Sequence, residues 1–175
     1  MLDANELKQE LLTATEGASP ENAWILMLTA IEDYIQDKAE VHATFSGNLG
    51  SSPSPLNGPH VLNLITNFNK AEIEAQAKAV GGMPGFNIAL HLALSGVYPG
   101  VNEMETIQCV PESTMSVCNL FMDTHLKDRD GAMMGIAFGI VLCLKLSVFI
   151  PPTLAIPAQG MASGSTGILT LIDIS

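Results

Sequence analysis

Four histidines, three cysteines and one dense polar string are the residues that could carry chemistry in this chain of 175 residues. The string is Asp123-Thr124-His125-Leu126-Lys127-Asp128-Arg129-Asp130, in which Asp123, His125 and Asp128 are the side chains a hard or borderline metal ion would choose. Lys127 and Arg129 lie among those acids, however, and alternation of sign is the mark of a solvated helix end. His42 falls in a strand-like stretch, His60 closes a Gly/Pro/Ser-rich segment, and His91 sits between Leu90 and Leu92. Burial could shift the proton equilibrium of His91, yet a hydrogen-bonded core or interface imidazole is the simpler reading. Cys109, Cys118 and Cys143 are odd in number and include no Cys-x-x-Cys pair, so neither a disulfide framework nor a zinc site is expected. They read as small buried hydrophobes.

The catalytic templates fail one by one. There is no phosphate-binding G-x-x-x-x-G-K-[ST], no H-E-x-x-H and no G-x-S-x-G nucleophile elbow. Gly160, Gly164 and Gly167 follow no dinucleotide-binding pattern. Paired carboxylates such as Glu72 and Glu74, or Glu103 and Glu105, are ordinary in an acidic chain. No catalytic, cofactor-binding or metal residue is therefore assigned, no cofactor is expected, and the chain reads as not an enzyme.

The elements that would position any site follow from period and punctuation. Leu7, Leu11 and Ala14 have helical spacing, Gly17 ends that helix, and Ser19-Pro20 opens a second. There Trp24, Leu28, Ile31 and Ile35 stack on one face, against Glu32, Asp33, Gln36 and Asp37 on the other. Strands are expected over 41–46, 144–150 and 167–174, forming a small antiparallel sheet. Residues 47–60 read as a linker, and 61–113 as a middle helical section with a capping box at Asn69-Lys70-Ala71-Glu72, a stop at Gly81-Gly82 and an irregular stretch over 97–113. A further helix over about 114–126 and a very apolar one from Ala132 to about Leu142 precede the β-like C-terminal part. The last strand alternates Ile168, Thr170 and Ile172 against Leu169, Leu171 and Asp173, so both of its faces look apolar. The fold class expected is α+β, predominantly helical, as a single domain over 1–175.

Composition says more about surface than about chemistry. Charged residues are 14% of the chain, against about 25% in an average soluble domain. Their sign is lopsided, 18 acidic against 7 basic, which argues against nucleic acid as a partner. The N-terminus is acidic where a secretory signal would be basic, and the charge-free run Gly131 to Leu144 is too short to span a bilayer. Residues 1–40 hold nine of the acids, while residues 132–175 hold only Lys145 and Asp173 as charges. So apolar a segment must be covered by an interior, a membrane or another subunit, and another subunit is the simplest account. The expected subunit interface is Ile136, Phe138, Ile140, Val148, Phe149, Ile150, Ile168, Leu169, Leu171 and Ile172. The competing readings are a monomeric binding module for an apolar ligand or lipid, and a small enzyme of unknown chemistry.

The order of these elements resembles that of small virion structural proteins encoded among the tail, baseplate and neck genes of tailed bacteriophages. The residues carrying the resemblance are Leu2-Asp3-Ala4-Asn5, Ala30-Ile31-Glu32-Asp33-Tyr34-Ile35, Val41 to Phe45 and Gly160 to Ser175. The resemblance implies a virion protein assembled in the host cytoplasm. It would act by homo-oligomerisation and by docking to other virion structural proteins, with no catalytic residues to carry over.

Overall fold

Asp3 begins the first helix, α1 (Ala4–Ala14), by accepting hydrogen bonds on its carboxylate from the amides of Asn5 at 2.7 Å and Glu6 at 3.4 Å. The computed structural model describes residues 1–55, 57–66, 68–80, 88–90, 92–94, 97–99, 128–146, 154–155 and 166–175. One turn apart on α1, Leu7 and Leu11 are fully buried. Gly17 ends this first unit in the left-handed region, φ +68°, where a side chain would strain the backbone. Ser19 then turns extended, and Pro20 starts α2 (Pro20–Lys38) with φ already set for a helix. Leu28, Ile31 and Ile35 are buried as their spacing requires, and Tyr34 joins them.

Strand β1 (Glu40–Leu49) alternates as a half-buried strand should: Val41, Ala43 and Phe45 are buried, and Glu40 and Ser46 are exposed. It outruns the expected 41–46 and turns at Gly50, φ +62°, into a two-residue β2 (Ser52–Pro53). Strand β3 (Gly58–Thr66) then returns antiparallel along β1, from Phe45 opposite Gly58 to Glu40 opposite Asn63. The reading of 47–60 as a linker, and of helix from Val61, is overturned here. Gly, Pro and Ser in that stretch mark a hairpin, with Pro53 and Pro59 lying in short or marginal strand positions. The free edge of β1 supplies hydrogen bonds that no local period announces.

Helix α3 (Lys70–Val80) has the expected capping box. The Glu72 amide donates to Asn69 Oδ1 at 3.3 Å, and Asn69 Nδ2 donates back to the Glu72 carboxylate at 3.2 Å. Residues 88–90 and 92–94 are helical, and Ala89, Leu90, Ala93 and Leu94 are buried, as an apolar segment between layers requires. Strand β4 (Val97–Pro99) pairs with β3, so the expected irregular stretch begins with three residues in the sheet.

Helix α4 (Arg129–Leu146) is longer than expected at both ends. Residues 144–146 are therefore helical, which removes the start of the expected 144–150 strand; 147–150 lie outside the described residues, as does the helix expected over 114–126. The reason is phase: Ile136, Ile140 and Leu144 recur every fourth residue and all are buried. That face continues the helix through residues whose side chains alone suggest a strand.

Strand β5 (Leu154–Ala155) and strand β6 (Thr166–Ile174) complete an antiparallel sheet ordered β4-β3-β1-β6-β5, with β2 attached to β1. The expected strands over 41–46 and 167–174 are both in the antiparallel sheet, where they pair with each other, and β3 lies on the other side of β1. The main core joins α1, α2 and α4 to the sheet through Leu7, Leu11, Ile31, Tyr34, Ile35, Val41, Leu64, Ile140, Leu144 and Ile174. The architecture is α+β.

Register in β6 changes once. Leu169 and Leu171 stand opposite Phe45 and Ala43, but Asp173 stands opposite His42 and Ile174 opposite Val41. Ile172 is thus one extra residue, a bulge. Without the bulge, with Ile172 paired opposite His42, Asp173 would face Val41, in the buried row. With it Asp173 is exposed and Ile174 is buried at 4% exposure.

Candidate functional site

Among the described residues, three regions could act on something outside the chain: a polar cluster where β1 meets β6, a groove between α2 and α3, and the outer side of α4.

The polar cluster begins with the reciprocal backbone bonds of Glu40 and Ser175, each amide donating to the other carbonyl at 2.9 Å. This pairing brings the Ser175 hydroxyl to 2.9 Å from His42 Nε2, while the Glu40 carboxylate stands 4.0 Å from the same nitrogen. Serine, histidine and carboxylate invite comparison with a nucleophilic triad. A triad needs the carboxylate on Nδ1, so that Nε2 is free to take the serine proton. Here both partners address Nε2, and no relay can run. The cluster serves as a polar fastening between the two strands.

The groove lies between α2 and α3 and is lined by Trp24, Ile25, Leu28, Thr29, Phe68, Lys70, Ile73 and Glu74. It encloses about 30 Å³, room for about two water molecules and far less than an acyl chain. From its lining residue Lys70 a polar network runs outward: Lys70 pairs with Glu32 at 2.8 Å, Thr66 donates to Glu32 at 3.4 Å, and the Gln36 amide donates to Thr66.

Helix α4 has an unusual outside. Its inner side is held to α1 by Arg129, which donates to the Leu12 carbonyl at 2.9 Å and the Thr15 hydroxyl at 2.8 Å, and by the 2.7 Å Lys8–Asp130 ion pair. Asp128 caps the helix by accepting from the Gly131 amide at 2.7 Å. Between Asp130 and Lys145 the helix carries no charge at all. Met134, Phe138 and Leu142 recur every fourth residue on a face that is not buried; Phe138 is 44% exposed and the other two are half-buried. A helix face of this kind on a solvated protein normally carries Lys, Glu or Arg.

The expected interface residues separate accordingly. Phe138 is on the exposed face. Ile136 and Ile140 belong to the chain's own core, at 4% and 0% exposure, which leaves neither for contact with a second copy. Ile168, Leu169, Leu171 and Ile172 all lie in β6, next to β1 in the sheet. Val148, Phe149 and Ile150 lie outside the described residues, as do Asp123, His125, His91, Cys109 and Cys118. Met134 and Leu142, four residues to either side of Phe138, are not among the expected interface residues. Among the described residues no group of three or more His, Cys, Asp or Glu could hold a metal ion, and no helix is long and apolar enough to cross a membrane.

No protein-family model, curated protein or solved structure matches the chain.

Proposed function

We propose that the chain is a structural subunit of a symmetric assembly, a virion component of the tail, baseplate or neck of a tailed bacteriophage, acting by homo-oligomerisation and docking. The observation that carries the reading is the uncharged outer face of α4, where Met134, Phe138 and Leu142 stand at least partly open. Burying such a stripe against a second copy removes apolar surface from water at about 25 cal/mol per Å². It also lets two chains of net charge −11 meet where neither carries charge. The acidic residues of α1 and α2 then face water. The phage assignment rests on the resemblance at Leu2 to Asn5, Ala30 to Ile35, Val41 to Phe45 and Gly160 to Ser175, and on the succession of two helices and a strand.

The test is the solution mass by size exclusion with light scattering. A discrete multiple of 18.5 kDa that persists in high salt supports the reading, and a monomer at every accessible concentration overturns it. Peptide mass spectrometry of purified particles of the phage that encodes the chain tests the virion assignment separately. Absence from the particle removes that assignment and leaves the oligomer standing.

A further inference from the structure

We draw no further inference here: the strongest candidate, the groove between α2 and α3 lined by Trp24, Leu28, Phe68 and Ile73, is an unpartnered apolar surface, and nothing in the structure shows what covers it.

Discussion

Tyr34 ties the entrance of α1 to the middle of α2 through one oxygen. Its hydroxyl donates to the Asp3 carbonyl at 2.8 Å and accepts from the Asp3 amide at 2.5 Å, so both backbone groups that precede the helix are satisfied. Burial, the largest influence, pushes the phenol up from its ordinary range, so it is a donor at neutral pH. Tyr34→Phe keeps the packing and takes away the partner of the Asp3 amide, while the Asp3 carbonyl keeps its bond from the Leu7 amide at 3.1 Å. It should cost about 1–2 kcal/mol, read as a lower urea midpoint with unchanged slope. Glu10 is shifted for a different reason. Its carboxyl is raised by partial burial and then by Glu6, Asp37 and Asp33, with Lys38 opposing. The folded state therefore holds this proton more tightly than the unfolded state does, and stability falls as pH rises through the raised value. Glu10→Gln should raise the thermal midpoint at pH 7. The gain should disappear below the ordinary carboxylate range, where both states are protonated; an equal gain at both pH values would show that charge is not the cause.

Among the elements, the bulge in β6 decides which side chain at the strand end meets the core. Removing Ile172 would restore a regular ladder with Asp173 still opposite His42 and Ile174 still opposite Val41. The deletion should therefore keep the register on both sides of the bulge and leave the protein folded, as should Ile172→Val. Denaturant unfolding of both variants checks this. In the cap of α3, Asn69→Ala should cost about 1 kcal/mol. These elements also show how far the residues speak for themselves. Helices α1 and α2 were legible because glycine, cap, proline and apolar period agree, with Gly17 closing the first and Ser19-Pro20 opening the second. Strand β3 was not, because Val61 to Thr66 has no pattern that excludes a helix and becomes a strand only by pairing with β1. The end of α4 departs from the strand expected at Leu144 because that residue completes the buried row of Ile136 and Ile140. The outer face of α4 was legible only in part. Phe138 was picked out by hydrophobicity, but inner and outer positions of an almost wholly apolar helix cannot be told apart until the packing of α1 against it is known.

On the scale of the whole molecule, acidic and apolar surfaces are separated between the N-terminal helices and α4. In the proposed assembly, Phe138→Lys should lower the solution mass to that of a monomer while leaving the far-ultraviolet circular dichroism unchanged. The residue is 44% exposed, so a lysine there can keep its ammonium in water. A variant that keeps the oligomer would move the contact away from α4. The sheet has a further consequence, for the order of folding. Strand β1 finds β3 after a short hairpin, but its other neighbour is remote: His42 and Ser175, joined across the two strands, are 133 residues apart. Closing that loop costs about 2 kcal/mol more in chain entropy than closing the tenfold shorter hairpin loop. The helical pair and the β1–β3 hairpin can therefore form early, while the second edge of β1 waits with its amides and carbonyls unpaired. During synthesis that wait lasts until β6 has been made. The newborn chain is then most exposed to pairing with the wrong strand, and a chaperone that shields β1 would raise the yield more than one acting on the finished protein.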